Sequence, residues 1–428
     1  MKPMLKADGL SLSVADERML AGDEGPAPAL ALAIICRMAV VLGAERLLPI
    51  ESAHLDSSLY LGPATLAFAE RLAGMGAKVS VPTTLNVSGV DEAGWQAWPV
   101  PAEWAAGARR QMQAYQQMGA KPTWTCAPYQ AGPRPAFGQQ IAWGESSAIV
   151  FANSVLGART ARYPDFLDIC AAITGRVPAA GLHLEANRRG QILVDASAVS
   201  SRLQALDGFY PVFGHWLGQQ IGDRVAVIDG LAGQPEEDDL KAFGAAAASS
   251  GSVGLFHWVG VTPEAPTRQA AFAGAKPERT LEVSDQDLAG AYHQLTTSAD
   301  DRLDMVVLGS PHFSLAEFQR LAPLLAGQQK HPSVRFLITT SRAVAALAER
   351  AGLLQAVRGF GADLTVDTCI LTTPMLPPEI RRLMTNSAKY AYYAPGLLNT
   401  QVVFGGMEDC VRSAVAGRVE RRAAAWAG

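Results

Sequence analysis

The chain has 428 residues, 49% of them hydrophobic and 18% charged, with a formal net charge of −4. That content supports a full core and, at this length, two or three domains. The charge balance leaves no electrostatic footprint for nucleic acid. Residues 1–20 lack the apolar core of a signal peptide, and the most apolar early run, residues 27–42, contains Cys36 and Arg37 and is too short to span a bilayer. A soluble, cytoplasmic protein with no membrane or nucleic-acid partner is expected.

Five cysteines, Cys36, Cys126, Cys170, Cys369 and Cys410, are too irregular in number and spacing for a disulfide framework. No C-x-x-C occurs, so any metal site must be assembled from distant loops.

Residues 17–45 read as helical, interrupted near Gly22 and Gly25-Pro26. A strand at 46–50 is expected to end in Glu51-Ser-Ala-His54-Leu-Asp56. A helix at 63–74 leads to a second strand, 78–81, ending in Pro82-Thr83-Thr84-Leu-Asn86. Both strands would deliver polar residues beyond their carboxyl ends. A helix at 102–118 precedes a proline-flanked turn holding Cys126.

Next, a short apolar run, residues 141–143, is followed by Gly144-Glu145-Ser146-Ser147, a helical pattern and Arg159. The serines admit three readings: a nucleophile elbow missing its second glycine, a plain helix cap, or an anion site at a helix N-terminus. Further on, His183 and Arg188 sit in a polar turn, a helix covers 237–248, and 254–259 is a strand containing His257. Residues 262–280, rich in Pro and Ala, read as a linker or excursion.

The last third alternates cleanly. Strands at 304–308, 334–338 and 362–366 are separated by helices at 315–325 and 343–351, with Ser314 and Glu317 placed as a capping box. This is the pattern of a right-handed parallel α/β sheet. Ligands bind beyond the carboxyl ends of such strands, which puts Ser310, His312, Thr339 and Cys369 along one edge. Two domains are expected: residues 1–290, built of two interleaved subdomains, and 291–428. No G-x-G-x-x-G or P-loop pattern favours a nucleotide.

His257 and His293 read as structural and His331 as a surface residue. His54, His183 and His312 occupy turns and are better site candidates. Arg159, Arg188 and Lys389 are candidate carboxylate binders, against the commoner fate of solvated charges. The polar run at 385–390 reads as a loop able to close over a site. Cys36 and Cys170 fall in apolar helical patterns. Cys410 begins the last helix, and its role is left open.

Taken in order, Glu51-Ser-Ala-His54-Leu-Asp56, Pro82-Thr-Thr-Leu-Asn86, Cys126-Ala-Pro-Tyr129, Trp143-Gly-Glu-Ser-Ser147, Asn153-Ser-Val-Leu-Gly-Ala-Arg159, Gly309-Ser-Pro-His312, Asp367-Thr-Cys369 and Asn386-Ser-Ala-Lys389 resemble the aconitase X family over nearly the whole chain. The resemblance implies an α/β, aconitase-like fold, with several parallel or mixed sheets around a central cleft. It implies a hydro-lyase dependent on iron or an iron–sulfur cluster, completed by a small swivelling-domain subunit. Because the chain ends at Gly428, soon after its last helix, that subunit is expected to be separate.

Three cysteines hold the cluster in archaeal members; the matching positions here are Cys126, Ser310 and Cys369. Serine is a harder and weaker ligand than thiolate, so a smaller cluster or a single iron is expected. Relatives with this serine resemble cis-3-hydroxy-L-proline dehydratases, while the three-cysteine type dehydrates a phosphorylated mevalonate. The implied roles are catalysis by Glu145, Ser146, Ser147 and Lys389. Substrate binding falls to His54, Thr83, Thr84, Asn86, Arg159, His183 and His312. The rival readings are a serine hydrolase using Ser146 and a non-catalytic metal-binding subunit.

Overall fold

Fourteen short strands carry the architecture of the computed structural model, which describes residues 9–426. The first eight residues of the leading segment, with Ala427 and Gly428, lie outside the described residues. In chain order the strands are β1 (Leu47–Pro49), β2 (Ser52–Leu55), β3 (Thr83–Leu85), β4 (Ile141–Trp143), β5 (Arg176–Pro178), β6 (Ile192–Asp195) and β7 (Ala226–Asp229). There follow β8 (Phe256–Trp258), β9 (Arg279–Glu282), β10 (Met305–Leu308), β11 (Arg335–Thr340), β12 (Asp363–Val366), β13 (Arg382–Thr385) and β14 (Gln401–Phe404).

These strands form three parallel sheets, ordered β3-β2-β4, β8-β7-β6-β9 and β12-β11-β10-β13-β14, and one antiparallel pair, β1-β5. The fold is α/β, with three parallel sheets and helices between their strands. In the five-stranded sheet, alternation divides neighbours between two cores. Met305, Val307 and Leu337 join the large core shared with the N-terminal helices. Val306, Leu308, Phe336 and Ile338 join a second core with Phe318 and Leu325. A parallel sheet buried on both faces explains why these strands read as continuous apolar runs.

The helices follow local signals. Gly22, at φ 95°, ends Val14–Ala21, and Pro26 opens Pro26–Val41. Ser314 and Glu317 close a capping box on Leu315–Leu325.

Three expectations are corrected. Residues 78–81 form no ladder: Val79 and Ser80 donate instead to the Met118 and Ala172 carbonyls at helix ends, and pairing begins at Thr83. The strand paired with β3 and β4 is Ser52–Leu55 rather than 46–50, so His54, Thr83 and Thr84 lie inside strands, not beyond them. Residues 385–390 are no free loop; Thr385 ends β13 and Ser387 caps helix Ala388–Leu398 through the Tyr390 amide.

Candidate active site

Because β2, β3 and β4 run parallel, their carboxyl ends present Asp56, Asn86 and Gly144-Glu145 side by side. The five-stranded sheet does the same with Gly309-Ser310 after β10 and Cys369 after β12. All of these residues line one cavity of about 330 Å3, together with Cys126, His312 and Lys389. That is the small end of the range for ligand sites. The two edges are tied together: the Ser88 amide donates to the Asp367 carbonyl at 2.8 Å, and the Thr368 hydroxyl donates to the Ser88 carbonyl at 3.1 Å.

Two glycines permit this closeness. A Cβ on Gly144 would meet an Asp168 carboxylate oxygen at 2.8 Å and the Asp56 Cβ at 2.9 Å. Gly309 adopts φ +97°, and a Cβ there would lie 2.1 Å from the Thr339 carbonyl oxygen. The Ser310 turn therefore needs a residue without a side chain.

Glu145 is the N-cap of helix Ser146–Ser154, accepting the Ala148 amide at 2.7 Å. It also accepts the Ser147 hydroxyl at 2.6 Å, the Ser146 hydroxyl at 3.3 Å and the Lys389 ammonium at 2.6 Å. The serines are thus donors to the cap rather than caps themselves. Burial alone would raise the Glu145 carboxyl, but Lys389, Ser147 and the Ala148 amide together hold it below the usual carboxylate range. Burial likewise opposes the Lys389 charge, yet Glu145 and the nearby Cys126 and Cys369 raise it. Side chains only 8% and 12% exposed, in direct contact, make this a buried ion pair. No histidine hydrogen-bonds Ser146 among the described residues, so the serine lacks the base an acyl-transfer nucleophile needs.

Cys126, Ser310 and Cys369 come together at the cavity. The Cys126 sulfur accepts the His312 amide at 3.2 Å. Burial pushes the Cys126 thiol up to about 12 and raises Cys369 as well. Burial disfavours the thiolate at both, the nearby Lys389 opposes that, and a bound metal would favour it further, because thiolate is the ligand form. His312 is no ligand. Its ring nitrogens engage the Thr125 hydroxyl at 3.1 Å and the Thr368 carbonyl at 3.0 Å, and burial lowers it to about 4. Among the described residues no cluster of three His, Cys, Asp or Glu forms a metal cage. The donor set of two thiols and a hydroxyl fits a single metal or a small cluster that asks two thiolates of the protein; it does not fit a three-thiolate site.

Other expected residues lie elsewhere. His54 is fully buried, with Nδ1 at 2.8 Å from the Thr84 hydroxyl, and burial lowers it to about 4. Thr83 donates to the Val81 carbonyl. Arg159 does not line the cavity: it is 6% exposed and pairs with Glu185 at 2.8 Å and Glu264 at 2.9 Å. Arg188, 1% exposed, shares Glu264 and also donates to Asn153. A buried guanidinium must be paired, so these charges are spent on structure. His183 borders a second cavity of about 340 Å3, bonded to Gln140 at 2.6 Å and to the Tyr163 hydroxyl. Cys410 is fully buried in the C-terminal core.

Sequence reasoning missed Arg162 and Asp165 on the cavity wall and gave Asp56 no role of its own. The signal was a charged turn, Arg162-Tyr163-Pro164-Asp165, directly after the motif ending in Arg159. Among the described residues no carboxylate forms a salt bridge with Arg162; its NH1 lies 3.4 Å from the Ala248 carbonyl.

Family models described as the first, second and third domains of aconitase X match residues 9–186, 190–293 and 303–416. The chain is 48% identical over 421 residues to the cis-3-hydroxy-L-proline dehydratase of Pseudomonas aeruginosa, covering 98% of this chain and 72% of that protein. It is 43% identical over 422 residues to the protein of the same name from Hypocrea jecorina, covering 97% of this chain and 71% of that protein. With the phosphomevalonate dehydratase large subunit of Methanothermobacter thermautotrophicus it shares 36% identity over 402 residues, 93% of this chain and 97% of that one. The solved holo-form of Thermococcus kodakaraensis aconitase X matches with a TM-score of 0.84 at 33% identity, over 95% of this chain and 100% of that chain. On the match of all three domains and the same fold, the chain belongs to the aconitase X family and is a dehydratase, a hydro-lyase of aconitase-like architecture.

Proposed function

We propose that this chain dehydrates cis-3-hydroxy-L-proline to 1-pyrroline-2-carboxylate, using an iron or small iron–sulfur centre held by Cys126, Cys369 and Ser310. The observation that carries this reading is the donor set itself. Two thiols and a hydroxyl border one cavity with a buried Lys389–Glu145 pair, in a chain 48% identical to a protein named for that substrate. When bound, such a centre supplies Lewis acidity to the departing 3-hydroxyl.

The protein's own groups divide the remaining work. Lys389 keeps its positive charge because Glu145 faces it, and it stabilises negative charge developing in the transition state. Arg159 cannot clamp the substrate carboxylate, since Glu185 and Glu264 hold it. Arg162, on the wall and without a carboxylate partner among the described residues, takes that role. Glu145, with its oxygens occupied, orients Lys389 rather than taking the α-proton, and both serines donate to it. The base that takes the α-proton is therefore a group other than Glu145, Ser146 or Ser147. Loss of the α-proton and of hydroxide leaves an enamine, which tautomerises to the cyclic imine.

The test is iron and sulfide quantification on the protein purified with its small subunit, alongside a panel of hydroxyproline isomers and 5-phosphomevalonate. We expect bound iron, turnover of cis-3-hydroxy-L-proline, and its loss on Cys126→Ala with folding intact. Full activity after complete iron removal refutes the role of the centre. Turnover of the phosphorylated acid alone moves the chain to the other branch of the family.

A further inference from the structure

Asp56 follows β2 and Asn86 follows β3, adjacent strands of one sheet, and both border the cavity. The Asn86 side-chain amide donates to one Asp56 oxygen. With Asp56 ionised, that bond fixes the amide, because turned over it would set its own oxygen against a carboxylate. Two acceptors are then left over. No hydrogen bond among the described residues reaches the second Asp56 oxygen, and the Asn86 side-chain oxygen is buried with no partner. Asn86 is 2% exposed, so that oxygen has little recourse to water.

The surroundings are negative. After burial, the largest causes that raise the Asp56 carboxyl are Glu145, Asp168 and Asp165. Of these, Glu145 is paired with Lys389, and Asp168 accepts the amides of Ser57 and Ile169, at 3.0 and 2.6 Å. Asp56 is left as a partly exposed carboxyl on the wall, beside an unused amide oxygen, with no cation of the protein reaching it. Such a place calls for a cation with two N–H donors. A secondary ammonium, as in a saturated five-membered ring, has two.

We propose that Asp56 and Asn86 form the subsite for the substrate's ring nitrogen, as a secondary ammonium, and thereby select a cyclic amino acid over a hydroxy acid without nitrogen. The assignment rests on the hydroxyproline reading above. It places the ammonium at the three-stranded sheet and the carboxylate at Arg162, so the zwitterion is gripped at both charges. The Asp56 side chain here binds and positions; it transfers no proton in the reaction.

The experiment measures binding by calorimetry to the iron-loaded enzyme, complete with its small subunit. The probes are L-proline, which lacks a leaving hydroxyl, and tetrahydrofuran-2-carboxylate, which replaces the ring N–H2+ by oxygen. Wild type should prefer L-proline at least about tenfold, the scale of a charge-assisted pair in a desolvated site. Asp56→Asn should bring the two within about threefold, and Asn86→Leu should narrow the gap less. With cis-3-hydroxy-L-proline, Asp56→Asn should raise KM more than it lowers kcat. A preference that survives Asp56→Asn overturns the subsite, as does a collapse of kcat at unchanged KM, which would mark Asp56 as the base. Dehydration of hydroxyproline with that result leaves the reaction standing. A preference for L-proline that depends on Asp56, in an enzyme that dehydrates no hydroxyproline, keeps the subsite and sinks the reaction.

Discussion

Each side chain in this cavity is defined by what already holds it. Arg159 shows why sequence alone misleads: its partner Glu264 lies 105 residues away, so nothing local marks its charge as spent. Lys389 is the opposite case, a lysine on the cavity wall whose partner, Glu145, favours its charged form. Lys389→Met should lower kcat/KM by about 100- to 1,000-fold, the usual size of losing one electrostatic stabiliser. The Glu145 carboxyl should rise at the same time, since Lys389 is the largest influence lowering it. A variant within threefold of wild type would remove Lys389 from the machinery. Asp56 makes a pH prediction. Its carboxyl moves from 3.8 to about 7 on folding, so the folded protein binds the extra proton between those values. Stability without substrate should therefore fall as pH rises from about 4 to 7, and Asp56→Asn should flatten that slope. Thermal melts at pH 5 and pH 8 measure it.

At the scale of elements, legibility followed strand length and alternation. The last third was readable because its strands are continuous apolar runs between amphipathic helices, and the capping box at Ser314 sits where it was placed. In the first sheet the strands lie several residues later than the sequence pattern suggests. Its strands are only three or four residues long and carry His54, Thr83 and Thr84 inside, where only pairing with a neighbour distinguishes strand from turn. Cys126, Ser310 and Cys369, which line one cavity, were grouped by the resemblance to aconitase X, since residues so far apart in the chain carry no local sign of meeting; the cap role of Glu145 was not legible, because serines beside it are better cap formers. The turn after β10 offers the test at this scale. Gly309→Ala adds a Cβ at φ +97° and 2.1 Å from the Thr339 oxygen, so the turn must shift. We expect a loss of about 1–3 kcal/mol from backbone strain together with reduced iron content, since Ser310 is the next residue. Iron stoichiometry on folded protein is the readout. Full loading would show that Ser310 does not contribute to the centre.

Across the whole molecule, the cavity depends on separate layers keeping their register, and one buried charge cluster links two of them. Lys241, on helix Glu237–Ser250, is 3% exposed and contacts Asp238 at 2.8 Å and Glu317 on the helix that follows β10. Ser314, the cap of that helix, donates to Asp238 and lies two residues from His312, whose amide reaches Cys126. The cluster thus ties the layer of the four-stranded sheet to the turn after β10, which carries Ser310 and touches Cys126. Lys241→Met leaves two carboxylates buried without their cation, which costs about 3–5 kcal/mol in such pairs. The sign with pH follows from the groups themselves. In wild type, Asp238 is held below its ordinary value by Lys241, although burial opposes this, and its contribution is lost as pH falls below about 4. Burial already raises Glu317 in wild type despite Lys241; without the lysine both carboxyls rise, so ionising them in the folded protein becomes a larger penalty as pH increases. The gap in denaturant midpoint between wild type and Lys241→Met should therefore widen from pH 5 to pH 8. A constant gap would mean that the lysine acts through packing of its methylene stem, and the charge cluster would not be what joins the layers.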